Sequence, residues 1–191
     1  MNVLLPIAKF LSRFVAAIGK AGAWVSILMI VVILTDVILR RYFVIGSAKL
    51  QELEWHLHGI LFLTTLGYGY LEGAHVRIEL FREKWSARTK AWVELLGIFI
   101  FLLPFTLVTI SFSIDYAKMA YLNQEISASM TGLGFRWVIK SFLAFGLSLL
   151  TLAGIAEALY LILFLFGPKS LQKEINLRAT TFDAPHVAED G

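Results

Sequence analysis

The residues of this 191-residue chain that could perform chemistry are concentrated in one short stretch. Two carboxylates and two imidazoles occupy every second position there, in the order Glu52, Glu54, His56 and His58. Residues four apart share one face of an α-helix, so each carboxylate has a histidine as its neighbour one turn later. Such side chains can transfer protons, bind metals or ligate haem, which makes this stretch the first candidate for a functional site.

A metal or haem site is nevertheless the less favoured interpretation of this stretch. Bis-histidine haem in a small helical membrane protein needs two imidazoles at one depth on facing helices. His75 follows His58 by 17 residues, which is about 26 Å along a continuous helix, and His186 lies near the end of the sequence. We therefore predict no cofactor and no metal, and we expect these groups to form hydrogen bonds at a membrane interface or to face a partner.

Two further carboxylates lie within apolar runs, where ionisable residues usually have a function or a partner. Asp36 precedes Arg40 by four residues, so an ion pair within one helix explains it. Glu157 lies deep in the last apolar run, and we expect a structural partner in another helix or subunit in preference to a proton-linked role.

The composition places these residues in a membrane. Mean hydropathy is +0.75, with 58% hydrophobic and 16% charged residues, which is too apolar for an ordinary soluble domain. The absence of cysteine excludes disulfides, thiolate metal sites and cysteine nucleophiles. No nucleophile with an adjacent base and no phosphate-binding glycine loop is evident, so we predict that the chain is not an enzyme. The net charge of +3 reflects Lys and Arg in loops, and no nucleic-acid partner is expected.

The apolar runs predict an all-α membrane protein with four transmembrane helices and interfacial amphipathic segments. The predicted spans cover about residues 21–39, 53–71, 92–113 and 138–166, within a single membrane domain of residues 1–168. The amphipathic segments are residues 4–20, with a cationic stripe, and the charged connector 72–91, in which Ser86 is the expected N-cap of the third helix. Residues 169–191 form a polar tail.

Three local features refine this arrangement. Gly67 and Gly69, with Gly73 beyond them, form a small-residue seam that permits close helix approach. Pro104 lies in the middle of the third span and predicts a kink there. If the N-terminus is cytoplasmic, the cytoplasmic segments contain 11 Lys and Arg residues and the segments on the other side contain 6. Positive residues favour the cytoplasmic side, so both termini are predicted to be cytoplasmic.

Two stretches resemble the small integral-membrane (DctQ-like) subunit of tripartite ATP-independent periplasmic (TRAP) transporters. The first has acidic residues entering the second span, GYGYLEGAHVRIEL leaving it and a Trp-containing basic helix start. The second is EISASMTGLGFRWVIKSFLAFGLSLLTLAGIAEAL, with a Ser/Gly-rich loop, an Arg-Trp pair and a Lys that opens the last span. Together they cover roughly residues 52–159.

The resemblance implies a role in solute uptake across the bacterial inner membrane. A large permease subunit would carry substrate and sodium, a periplasmic solute-binding protein would capture the solute, usually an organic acid, and this chain would be a fixed scaffold in the bilayer. The first span and the Gly67/Gly69 face would pack on the large subunit. The candidates for partner or packing contacts are Asp36, Glu52, Glu54, His56, His58, Gly67, Gly69, His75, Arg77 and Glu157.

Two alternatives remain open on sequence. A membrane anchor of a respiratory oxidoreductase complex would bind haem or quinone at His56, His58 or His75. A self-sufficient small transporter would move solute without a partner, although neither an inverted repeat nor a pair of broken helices is evident.

Overall fold

The computed structural model describes residues 3–74 and 85–168, and all regular structure in these two ranges is helical. The elements are α1 (Leu4–Ala23), α2 (Val25–Tyr42), α3 (Ala48–Leu71), α4 (Ala87–Gly97), a π-helical turn (Ile98–Leu102), α5 (Leu103–Leu122) and α6 (Arg136–Phe166). The predicted all-α class is confirmed. The middle of the charged connector and the tail predicted at residues 169–191 lie outside the described residues.

Within residues 3–74 and 85–168, three helical segments are long and apolar enough to cross a membrane, namely Leu4–Tyr42, Ala87–Leu122 and Arg136–Phe166. They contain the first, third and fourth predicted spans. The second predicted span corresponds to α3, which is 24 residues long but is not among the three. Its first half carries the acidic and imidazole side chains described above, which lower its hydropathy.

The long helices form a row with α3 and α6 at its centre. α6 packs on α1, α3 and α5, whereas α2 packs mainly on α3 and α5 mainly on α6. The order across the row is therefore α2, α3, α6, α5, with α1 lying against both central helices. Half of the most apolar part of α6 is buried, against 11% for the Leu4–Tyr42 segment and 17% for Ala87–Leu122. The two edge helices thus leave most of their surface uncovered.

The two central helices approach at backbone distance through one glycine on each. A Cβ atom on Gly67 would lie 2.8 Å from the carbonyl oxygen of Leu149, and one on Gly146 would lie 2.6 Å from that of Leu63. Since the contacts advance along both helices in the same direction, α3 and α6 run parallel. Gly69 has open space where its Cβ would be. Gly67 is therefore covered by α6 of the same chain and is not available to a partner.

α1 reaches the central pair through a face of small residues. Gly19 lies against the Cβ of Tyr68 and Gly22 against the side chain of Thr64, so α1 runs antiparallel to α3. Farther towards the N-terminus, the Ser12 and Tyr160 hydroxyls are 3.3 Å apart. The predicted cationic amphipathic helix is therefore α1, and it packs lengthwise on the bundle and leads directly into α2.

Local sequence signals set several helix ends. The Ser86 hydroxyl accepts a hydrogen bond from the Thr89 N–H at 3.2 Å, so the predicted N-cap is confirmed. α3 ends at Leu71. Gly73 lies two residues beyond, with a φ of 68° in the left-handed region, and the Ala74 N–H donates to the Gly69 carbonyl at 3.0 Å. Gly73 therefore terminates the helix.

Pro104 is accommodated by the π-helical turn Ile98–Leu102, which lies where the sequence predicts a kink. Proline cannot donate to the carbonyl four residues earlier and its ring crowds that group. A wider turn, in which the Leu103 N–H reaches back to Ile98, relieves the crowding.

Replacing Gly67 with alanine tests the close approach of the central helices. The added methyl group meets the Leu149 backbone, so α3 and α6 must separate, and overpacking of this kind typically destabilises a fold by about 1–3 kcal/mol. We expect Gly67→Ala to lower the thermal unfolding temperature of the isolated subunit in detergent. Gly69→Ala is the matched control in the same helix, and we expect no loss there; equal stability of the two variants would contradict the packing.

Candidate functional site

The polar groups at the start of α3 hold the loop between α5 and α6, residues 123–135. Both carboxylate oxygens of Glu52 are used. The Ser127 hydroxyl donates to Oε1, and the Leu133 backbone N–H donates to Oε2 at 2.7 Å. Ser127 is buried and its hydroxyl oxygen also accepts from the Ser129 N–H at 3.0 Å. Glu52 thus fixes two points of a loop that lies 75 and 81 residues farther along the chain.

These hydrogen bonds act on the charged form of the carboxylate. The Ser127 hydroxyl and then the Leu133 N–H lower the pKa of Glu52 below its ordinary value of 4.5, against the opposing effect of burial. Because the pKa falls on folding, the stabilisation is complete above pH 4.5 and is lost as pH falls through the lowered value. At neutral pH the contact is fully formed.

A second carboxylate joins the start of the same loop to the start of α6. Glu125 forms an ion pair with Lys140 at 2.5 Å and lies 4.0 Å from the Arg136 Nε. The Lys140 ammonium also lies 3.8 Å from the centre of the Tyr116 ring, a cation–π contact. Together with Glu52, these groups form a polar layer where α3, α5 and α6 meet the loop.

The two histidines in the described ranges, His56 and His58, lie near the start of α3. The His56 ring hydrogen-bonds through Nδ1 to the main-chain carbonyl of Glu52, and not to its carboxylate, while His58 is exposed. Within the two described ranges, no group of three or more His, Asp or Glu side chains could hold a metal ion. His75 and Arg77 lie outside these ranges.

The predicted ion pair between Asp36 and Arg40 is confirmed. Asp36 is 3% exposed and faces α3, whereas the Arg40 side chain is half exposed. One oxygen of Asp36 and one of Glu54 are buried without a hydrogen-bond partner among the described residues. Glu157 is half-buried on α6 and has an interaction partner within this chain.

Sequence reasoning missed four members of the polar layer: Ser127, Leu133, Glu125 and Tyr116. Their partners are distant in sequence, so no local spacing reveals them. The Ser/Gly-rich composition of the loop was the one available signal, because such loops often turn back on a side chain.

Helices of membrane-spanning length, a polar layer that holds the protein's own loop and an exterior rich in exposed apolar side chains define a helical integral-membrane protein. Among known protein families, the DctQ component of tripartite ATP-independent periplasmic transporters matches residues 29–164. The chain belongs to this family. No curated protein and no solved structure matches it.

Membership makes this chain a small permease component of a TRAP transporter, a class that works with a large permease and a solute-binding protein. The match covers the two edge helices, the central pair and the polar layer. It does not support the alternative of a respiratory anchor.

Removal of the Glu52 carboxylate tests the anchoring of the loop. The chain lacks cysteine, so a nitroxide can be attached specifically at Met130→Cys, where the side chain is fully exposed. We expect Glu52→Ala to increase the mobility of that label several-fold at neutral pH, because Ser127 and Leu133 lose their acceptor. His58→Ala, on the exposed side of the same helix, is the control and should leave mobility unchanged.

The pH dependence follows from the lowered pKa of Glu52. In the otherwise unaltered chain, we expect label mobility to stay constant from pH 8 down to the ordinary value of 4.5 and to rise only below it. A rise between pH 7 and 5 would show that Glu52 is not the group that holds the loop.

Proposed function

We propose that this chain is a non-catalytic, four-span scaffold for the large permease subunit of a TRAP transporter in the bacterial inner membrane. The large subunit carries the solute, which we propose is an organic acid, and a periplasmic solute-binding protein delivers it. Both termini of this chain are cytoplasmic. Family membership supports the assignment to the transporter.

The observation that carries the scaffold role is the use of polar groups within the chain itself. Glu52, Glu125 and Lys140 are committed to the loop, and Asp36 is committed to Arg40. A solute pathway requires polar groups directed into a cavity at mid-membrane. The open cavity of about 610 Å³ beside the π-helical turn is instead lined mainly by apolar side chains such as Ile98, Phe101 and Phe105.

The geometry of α3 supports four spans. It is 24 residues long, or about 36 Å at 1.5 Å per residue, which exceeds a hydrocarbon core of about 30 Å. It runs parallel to α6 in backbone contact, which supports a crossing by α3 where α6 crosses. Two parallel spans must be joined by a segment that crosses the membrane once in the opposite direction, and α4 and α5 form that crossing. Together with the Leu4–Tyr42 segment, this gives four crossings, an even number.

Single cysteines test this topology directly. Gly46→Cys precedes α3 and Met130→Cys lies in the loop before α6, whereas Ala87→Cys opens α4; all three positions are exposed. In intact cells, we expect a membrane-impermeant maleimide that crosses the outer membrane to label positions 46 and 130 but not 87. Labelling of position 87 together with position 46 would show that α3 does not cross.

Co-purification and reconstitution test the functional proposal. From the native membrane, the tagged chain should recover a large permease. In liposomes, uptake of organic acids should require both membrane subunits together with the solute-binding protein, and this chain alone should give none. Recovery of a haem or iron–sulfur subunit, or uptake by this chain alone, would overturn the proposal.

A further inference from the structure

The junction between α1 and α2 is the irregular part of a 39-residue helical segment. At Trp24 the regular hydrogen-bond pattern is replaced by tighter bonds, because the Trp24 N–H donates to Ala21 at 3.2 Å and the Ile27 N–H donates to Trp24 at 3.1 Å. The Ala23 carbonyl accepts a hydrogen bond from the Ser26 hydroxyl at 2.6 Å. The regular helix is thus interrupted at one residue, Trp24.

The packing contacts place this junction away from both ends of the bundle. Gly22 lies against Thr64 on α3, and the adjacent Leu63 lies against Gly146 on α6. Gly146 is ten residues from the start of α6 and twenty from its end, or about 15 Å and 30 Å along the helix. Trp24, two residues beyond Gly22, therefore lies well inside both ends of the bundle.

Trp24 is unusual for a side chain at this depth. It is 72% exposed, although tryptophan in membrane proteins is concentrated at the interfaces, where its N–H can reach water. No hydrogen bond to its indole N–H is formed within the described parts of the chain. Hydrocarbon tails offer no acceptor, and irregular backbone at membrane depth is tolerated where protein covers it.

The surroundings of Trp24 suit a protein helix. Ala17 and Ala21 are exposed on the preceding turns of the same face, and small residues let a second helix approach closely. Lys20, one turn before Trp24, is also exposed on this side, with its ammonium 5.7 Å from the centre of the Tyr68 ring. This face therefore presents two hydrogen-bond donors, the Trp24 indole N–H and the Lys20 ammonium, beside the small side chains of Ala17 and Ala21.

We infer that the face formed by Ala17, Lys20, Ala21, Trp24 and Leu28 is the docking surface for a transmembrane helix of the large permease subunit. That helix carries hydrogen-bond acceptors, carbonyl or carboxylate, opposite Trp24 and Lys20. The inference rests on the proposed function, since it takes the large subunit as the partner. The resemblance already implies that the first span packs on the large subunit; the inference adds which face of α1 and α2 makes that contact, and it excludes the α5 edge.

Photo-crosslinking compares the two edges. A benzophenone amino acid replaces Trp24 or, as the matched control, Phe112, which is 69% exposed on α5. With the large subunit co-expressed, we expect position 24 to crosslink to it and position 112 to lipid. Crosslinks from position 112 alone, or from position 24 to a second copy of this chain, would overturn the inference.

Substitutions at Trp24 measure its contribution. Central interface tryptophans commonly account for about tenfold or more in affinity, so we expect Trp24→Ala to reduce recovery of the large subunit at least about tenfold. Trp24→Phe retains the ring without the donor and should give a smaller loss, while Phe112→Ala should give none. The unfolding temperature of the isolated subunit should be unchanged in all three, because both positions are exposed.

The two proposals fail separately. If the unaltered chain recovers the large subunit but Trp24→Ala does so equally well, the docking surface is wrong and the scaffold function stands. If the unaltered chain recovers no large subunit, the proposed function itself fails, and the inference fails with it.

Discussion

Backbone contact between α3 and α6 is the constraint on which the rest of the structure depends. Gly67 on one helix and Gly146 on the other remove the side chains that would hold the helices apart. In a membrane no hydrophobic force drives helices together, so close packing and hydrogen bonding must do so. Because the two glycines lie at neighbouring levels and face opposite ways across the contact, they fix both the separation and the register of the central pair.

The polar layer at the start of α3 follows from that register. Glu52 can meet Ser127 and Leu133 because α3 and the start of α6 are held at one level. A loop rich in Ser and Gly has little apolar surface of its own to bury, and it gains order from a charged acceptor that satisfies its donors. The order of the loop therefore depends on the close contact between α3 and α6.

Local features of the fold could be predicted from the sequence, and features that depend on register could not. The Ser86 cap, the Asp36–Arg40 pair and the end of the last helix near Gly167 each depend on residues within a few positions. Gly67 and Gly69 have nearly the same local sequence, yet one meets α6 and the other meets open space. Only the three-dimensional register distinguishes them. For the same reason the partners of Glu52 could not be predicted, because they lie 75 and 81 residues farther along the chain, after α4 and α5.

The order of helices across the row explains where polar side chains can be tolerated. α3 carries the acidic and imidazole groups and lies between α2 and α6. Glu52 and Glu54 are half-buried there. The edge helices α2 and α5 instead expose apolar side chains such as Val31 and Phe105, and their exposed hydroxyls, as at Thr35, bond to their own backbone. An arrangement with α3 at an edge would place ionisable groups against lipid, at a cost of several kcal/mol each. The central position of α3, which its glycine contact provides, therefore suits its two half-buried carboxylates.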